Sequence, residues 1–333
     1  MQEIRFGATG LWVSRAAVGT MTFGDRMDEK ASHAAMDLAR SVGVDMLDTA
    51  NVYNAGRSEE IVGTWLKKAG GRDRITLISK VRQAVGGDFA TAGLSPKIVV
   101  REVEASLRRL QTDYLDILFL HMPDDDTPIE VTLQCVDGLV RAGKVRYLGL
   151  SNYAAWQVVE AIHVARANGW AQPLLQQVMY NPVARGLDQE FLPMARRYDL
   201  GICAYNPLAG GLLTDKHGSA AASGSRLATN QQYISRYWNE ATRKAAAAVS
   251  AIARAGGRSV VELALRFVLD TPQVQVALIG GTRIEHFANN FKACGAKPLT
   301  ADERAQLDAV WAELRGPIPR YNRSNEDAKR PAK

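Results

Sequence analysis

Very little in this chain points away from an ordinary globular fold. Its 333 residues include only three cysteines, Cys135, Cys203 and Cys294, far apart and in apolar contexts. That argues against a disulfide framework and for a reducing compartment, so a cytoplasmic location is expected. No apolar run reaches the length of a membrane span. The opening "MQEIRFGATG" lacks the apolar core of a secretory signal. Lys and Arg outnumber Asp and Glu, 41 to 35, giving a formal charge of +6. The basic residues are interleaved with acids along helical segments, with no basic run and no aromatic interleaving. A nucleic-acid partner is therefore not expected, while a small anionic ligand fits the modest positive bias. The five histidines, His33, His121, His163, His217 and His286, show neither HxH nor HExxH spacing, so no metal site is expected.

What is present is a rhythm. After an opening hairpin around Gly7 to Gly10 ("IRFGATGLWVS"), short apolar runs alternate with helical patterns. The runs are "RAAVGTM", "VDMLDTA", "RITLISK", "DYLDILFLH", "VRYLGLSN", "LLQQVMYN", "LGICAYNP" and "VQVALIGG", and each is followed by a helix. The helix signals are specific. "SEEIVGTWLKKAGG" has an acidic first turn and a glycine end, and "SPKIVVREVEASLRRLQ" puts Ser95 at the cap and Pro96 at the first helical position. Strands apolar on both faces, joined by crossovers of helical length, predict an α/β fold: a (β/α)8 TIM barrel forming a single domain over 1–333, with residues from about 320 to 333 frayed. The competing open, doubly wound sheet usually carries a glycine-rich fingerprint after its first strand, and no GxGxxG occurs. One segment breaks the rhythm, the long Gly-, Ser- and Ala-rich loop from "LAGGLLTDKHG" to "SRYWNE" after the seventh strand. A loop of that length in a compact domain is usually functional.

In such a barrel the site lies at the C-terminal ends of the strands. There the sequence places Asp48 and Tyr53 after the second strand, Lys80 at the end of the third and His121 at the end of the fourth. Singly, each has a structural explanation: a capped turn, a packed ring, a solvated ammonium, a satisfied histidine. Together, four functional groups at three consecutive strand ends suggest proton donation. A free phenol has a pKa of about 10, and a neighbouring ammonium lowers it. Asp48 would hold Lys80 charged, and His121 would hydrogen-bond the substrate oxygen, an arrangement suited to general-acid catalysis.

These four residues resemble the catalytic tetrad of the aldo-keto reductases. The motifs "DTANVYNAGRSEE", "LISK", "LDILFLHMPDDDTPIE", "VRAGKVRYLGLSN", "YNPLAGGLLT" and "LIGGTRIEHFANN" follow the family in order, from "GATGLWVS" to about Ala293. "YNPLAGGLLT" resembles the branch of aflatoxin-aldehyde reductases and potassium-channel β subunits. The resemblance implies an NADPH-dependent carbonyl reductase, reversible toward alcohol oxidation, that uses NADPH or NADP+ in preference to NADH. It places Gly19, Thr20 and Met21 at the mouth, and Ser151, Asn152 and Gln177 on the nicotinamide carboxamide. Tyr205 would stack on the nicotinamide ring. Asn206, Pro207, Leu208, Gly210, Gly211 and Leu212 would lie near the pyrophosphate. Gly281, Thr282, Arg283, His286, Asn289 and Asn290 would meet the adenosine and its 2′-phosphate, with Arg283 the forked cation that favours NADPH.

Phe23, Tyr53, Met122, Tyr180, Tyr237 and Trp238 would line an apolar pocket suited to a bulky or aromatic carbonyl, with a small dialdehyde or a sugar-derived substrate as the alternatives. The chain departs from the family at Asn54, where Gly is common, and at Met122, where an aromatic is common. It departs again at His286, where Gln or Arg is usual, and at Asp215, where Gly is frequent. The expected partner is a small carbonyl or alcohol substrate, with neither nucleic acid nor membrane involved. The family includes monomers and homo-oligomers. The alternative reading is a cofactor-binding regulatory subunit that acts through a protein partner, as channel β subunits do.

Overall fold

Eight runs of aliphatic residues close on one another. The structure, a computed structural model, describes residues 1–217 and 220–318, so the expected frayed end lies outside the described residues. The chain begins with β1 (Glu3–Arg5) and β2 (Trp12–Ser14), an antiparallel hairpin. Then follow β3 (Ala16–Gly19), α1 (Glu29–Ser41), β4 (Met46–Asp48), α2 (Arg57–Ala69), β5 (Thr76–Val81) and α3 (Pro96–Leu110). Next come β6 (Leu115–Leu120), α4 (Ile129–Arg141), β7 (Val145–Ser151), α5 (Ala155–Asn168), β8 (Pro173–Met179) and α6 (Phe191–Arg197). After β9 (Gly201–Tyr205) lie two short helices, α7 (Arg226–Thr229) and α8 (Gln231–Tyr237), then α9 (Glu240–Ala255) and α10 (Val260–Leu269). The last elements are β10 (Val276–Ile279), α11 (Ile284–Cys294) and α12 (Ala301–Arg315).

Strands β3 to β10 form a closed parallel barrel, with β10 returning to pair β3. The strands carry apolar residues inward and outward, which sorts the core into two layers. Ala17, Met46, Ile78, Ile117, Phe119, Leu175, Cys203 and Val276 fill the interior. The outward-facing residues pack under the helices in one continuous cluster. The hairpin plugs the barrel: Phe6 and Val13 join the interior cluster and are fully buried. Gly7, at φ 59°, lies so close to β9 that a Cβ would meet the Gly201 nitrogen at 2.2 Å. With that end closed, the open mouth is at the C-terminal ends of the strands.

The helix starts follow local chemistry. Asp28 accepts the Ala31 amide, and Ser259 and Thr300 form reciprocal capping boxes with Glu262 and Glu303. Ser95 occupies the cap position before Pro96, but its side chain makes no capping bond. Proline removes one of the orphan amides by itself. The irregular segment after the seventh barrel strand is partly helical, since it contains α7 and α8.

Candidate active site

Asp48 is the last residue of β4, and Tyr53 sits on the turn leading into α2. Lys80 lies near the end of β5, and His121 directly follows β6. The register of the parallel strands brings all four to one side of the mouth. Lys80 and Asp48 are fully buried, with Nζ donating to Asp48 Oδ1 at 2.5 Å. The ammonium also donates to the Thr49 carbonyl at 2.9 Å and to Tyr53 Oη at 3.2 Å. Its three protons are thus all placed, one of them on the phenol. His121 stands edge-on to Tyr53, with ring centroids 6.0 Å apart.

Electrostatics refine the expectation. Burial pushes the Tyr53 phenol above its ordinary value; Lys80 pulls the other way and does not win. The predicted lowering is therefore present as a component and reversed as a net effect, because the hydroxyl sits in a desolvated site. Burial also works against the Lys80 ammonium, but Asp48 and Tyr53 outweigh it, and its pKa lies above the usual lysine value. His121 is pushed down to about 3, by burial first and Lys80 second. It is neutral at any ordinary pH. Its Nδ1 is buried without a partner among the described residues.

The wider ring of sequence-predicted residues divides into groups. Gln177 donates Nε2 to Asp48 Oδ2 at 2.6 Å, so both carboxylate oxygens are held. Ser151 Oγ donates to the Gln177 carbonyl. Asn152, at φ 63°, donates to the His121 carbonyl and accepts the Tyr205 hydroxyl at 2.7 Å. Gly19 and Thr20 are buried at the end of β3 and just beyond it, while Met21 is exposed. Asn206, Pro207, Leu208, Gly210, Gly211 and Leu212 follow β9, with Asn206 at φ 53° and Gly210 and Gly211 at 68° and 101°. Gly281 and Thr282 precede α11, where the Thr282 amide donates to His286 Nδ1 and Arg283 Nη2 lies 3.2 Å from Nε2. Asn290 is buried and Asn289 exposed.

The residues expected to line the substrate pocket divide by burial. Phe23 is fully buried and packs on Phe287. Tyr237 is 1% exposed, its hydroxyl engaged with Met179 Sδ and Asn181 Nδ2. Tyr180 stacks on Phe267 and donates to Asp188. All three rings belong to the buried cluster that packs between the strands and the helices. Met122 and Trp238 are half-buried and remain candidates.

Sequence reasoning missed two sets of residues. One is a set of cations, Arg26, Lys216 and Arg226, that joins the predicted Arg283 and His286. The Lys216 ammonium is depressed by burial and then by Arg226, Arg26 and Arg283, and His286 by burial, Arg283 and Lys216. No acid is among the causes of the Lys216 shift. Lys216 Nζ curls back over Gly211, where a Cβ would stand 3.0 Å from it. Its signal was the Lys of "TDKHG" and the Arg of "SRLAT", unreadable without knowing that the loop folds back. The other set lies behind the tetrad. Glu59, read as a dipole-compensating acid in a helix first turn, is fully buried, paired with Arg109 Nε at 2.7 Å and bonded by Ser79. Thr20, Ser58 and Thr49 form a buried hydroxyl chain beside Asp48. Among the described residues no three His, Cys, Asp or Glu side chains converge as a metal set.

The chain has relatives among known proteins. The sequence model of the "Aldo/keto reductase family" matches residues 16–312. Human "Aflatoxin B1 aldehyde reductase member 2" is 36% identical over 328 residues, covering 92% of this chain and 89% of the relative. The Bacillus subtilis "Uncharacterized oxidoreductase YrpG" is 35% identical, covering 88% of this chain and 91% of its own. The rice "Probable voltage-gated potassium channel subunit beta" is 33% identical, covering 91% and 94%. With the match spanning the barrel from its first strand to its last helix, the chain belongs to the aldo/keto reductase family.

Proposed function

We propose that the protein is an NADPH-dependent carbonyl reductase that works on an aldehyde or ketone and is reversible toward alcohol oxidation. The observation that carries this reading is the Lys80 ammonium, fully buried and shared between Asp48 and the Tyr53 hydroxyl. The names of the relatives, an aldehyde reductase and an oxidoreductase, support the reaction class.

The cofactor fits the residues present: four cationic side chains, Arg26, Lys216, Arg226 and Arg283, with His286 beside them, gather at the mouth. Such a cluster suits the pyrophosphate and 2′-phosphate of a dinucleotide. When bound, the reduced nicotinamide supplies a hydride to the carbonyl carbon. Tyr53 gives the carbonyl oxygen its proton, and its raised pKa keeps that proton in place at neutral pH. Lys80 stabilises the phenolate left behind, since an ammonium at hydrogen-bond distance favours the charged form. Asp48, held by Lys80 and Gln177, keeps the ammonium charged and fixed. His121, neutral, donates a hydrogen bond to the same oxygen and orients it. In alcohol oxidation the proton returns to Tyr53.

The test is the loss of reduced-nicotinamide absorbance with an aromatic aldehyde such as nitrobenzaldehyde, wild type beside Tyr53→Phe, with NADPH and NADH in parallel. Turnover that prefers NADPH and falls about 100-fold or more in Tyr53→Phe is expected. The likeness to a channel β subunit keeps one rival, a cofactor-binding subunit acting through a protein partner. Wild-type cofactor binding with no turnover in either direction would favour that rival.

A further inference from the structure

The residue after Tyr53, Asn54, sits in a turn of unusual backbone shape. Asn54 (φ 50°, ψ 45°), Ala55 (φ 54°, ψ 36°) and Gly56 (φ 92°) lie in succession in the left-handed region. For a non-glycine residue that conformation costs on the order of 1 kcal/mol, and it persists only where its surroundings over-determine it. Glycine at position 54 would supply the backbone shape at no steric cost. The asparagine does something glycine cannot. Its Nδ2 donates to the Phe23 carbonyl at 2.6 Å and to the Met21 carbonyl at 3.2 Å. Both amide protons therefore go to one segment, the loop after β3.

That loop is itself anchored. The Phe23 ring is fully buried against Phe287 of α11. Gly24 sits so close to the start of α2 that a Cβ would meet Arg57 Cγ at 2.5 Å. On the opposite side of the turn, Gly56 abuts Arg109, where a Cβ would meet Cδ at 2.8 Å, and Arg109 is tied to the buried Glu59. The strained turn is thus clamped from two sides, and the front clamp is the Asn54 side chain. Tyr53 lies inside it, its amide donating to the Ala50 carbonyl and its hydroxyl receiving Lys80.

We propose that Asn54 is a positioning residue: by tying the Tyr53 turn to the loop after β3, it fixes the distance between the Tyr53 hydroxyl and Lys80. The inference rests on the reading of Tyr53 as proton donor. Met21 lies on the tethered loop and is exposed, so the same tie couples the rim of the mouth to the acid. The groups facing Tyr53 are Lys80, Asp48 and His121 from the strand ends, Tyr205 from β9 and Tyr233 from α8. Of these, Lys80 is the one that lowers the phenol's pKa. A turn that drifts from Lys80 therefore raises it further.

The experiment compares wild type with Asn54→Gly and Asn54→Asp. Glycine keeps the backbone and removes the tether; aspartate keeps the shape and sets an acceptor against two carbonyl oxygens. In Asn54→Gly, kcat is expected to fall about tenfold with KM and cofactor affinity within about twofold, since small misplacements of a reacting group act on the chemical step. The alkaline limb of its kcat profile is expected to move to higher pH. Asn54→Asp is expected to fall further. Hydrogen exchange should rise together in peptides covering 19–27 and 50–58, and stay unchanged over 76–82. An Asn54→Gly enzyme with wild-type kcat and pH profile, or one that loses only melting temperature, overturns the proposal. So does exchange that rises in only one of the two peptides. If wild type itself shows no turnover, the reading of Tyr53 fails, and the exchange data still decide whether the tether exists.

Discussion

His121 shows what a sequence can and cannot tell about one residue. Its place at a strand end was legible from the apolar run "DYLDILFLH". Its protonation state was not, because that depends on burial and on the nearby Lys80, which together push it from 6.5 down to about 3. The sign of the Tyr53 shift was hidden for the same reason: proximity to Lys80 can be read from a motif, and desolvation cannot. The histidine shift carries a stability prediction. The unfolded chain binds a proton at this position near pH 6.5, and the folded one only near 3. Between those values the unfolded state holds more protons, so stability increases with pH there. This contribution is full above pH 6.5 and is lost progressively as the pH falls toward 3. His121→Gln should therefore lose less stability than wild type on acidification through that window, by up to about 1.4 kcal/mol per pH unit. Urea midpoints at several pH values for the two proteins measure the difference. Parallel curves would mean that His121 titrates like a free imidazole.

At the level of elements, the order of strands and helices was readable because each apolar run is short, apolar on both faces and punctuated by turn residues. Two kinds of detail were not readable. The short helices α7 and α8 were hidden in a composition that reads as loop, since four to seven residues of weak helical pattern carry little signal. The inward turn of Glu59 was also hidden, because a helix N-terminus favours an acid whether it faces water or a buried arginine. Helix packing supplies a sharp test in two glycines with opposite surroundings. Gly63 on α2 lies against the backbone of α3, where a Cβ would meet the Arg109 carbonyl oxygen at 2.3 Å. Gly138 on α4 has nothing within 4 Å of the same added atom. Helix propensity alone favours alanine at both by about 1 kcal/mol. Gly138→Ala is accordingly expected to raise the melting temperature. Gly63→Ala is expected to lower it, because overpacking against a rigid backbone costs about 1–3 kcal/mol and outweighs propensity. Thermal unfolding of the two variants beside wild type decides it; a rise for Gly63→Ala as well would mean that α2 and α3 have room to separate.

Across the whole molecule, the formal charge of +6 says little until its placement is known. Many of the cations are paired on the outer surface, as with Arg5 and Asp199 or Lys244 and Glu313. Other cations gather at the mouth: Arg26, which also lies 3.9 Å from Asp25, comes from the loop after β3, Lys216 and Arg226 from the segment after β9, and Arg283 from the start of α11. Folding brings these like charges together although they are far apart in the chain; they add to burial, the larger cause, in lowering the pKa of Lys216, and leave an excess of positive potential at the rim. Arg26 also donates to the Gly224 carbonyl and to Thr229 Oγ1, tying the segment after β9 to the loop after β3. On the proposed reading, a bound dinucleotide phosphate relieves this repulsion, and the relief is electrostatic. Binding should then weaken with added salt, because exposed charges are screened over about 10 Å at 0.1 M ionic strength. NADPH carries the extra 2′-phosphate, so its affinity should fall more steeply with salt than that of NADH. Arg226→Met should flatten both dependences. Arg283→Ala should flatten only that of NADPH and narrow the preference between the two. Fluorescence titrations of the protein with each nucleotide over a salt series provide the measurement. Equal slopes for the two nucleotides in wild type would mean that the cluster does not read the 2′-phosphate, and the preference for NADPH would have to arise elsewhere on the rim.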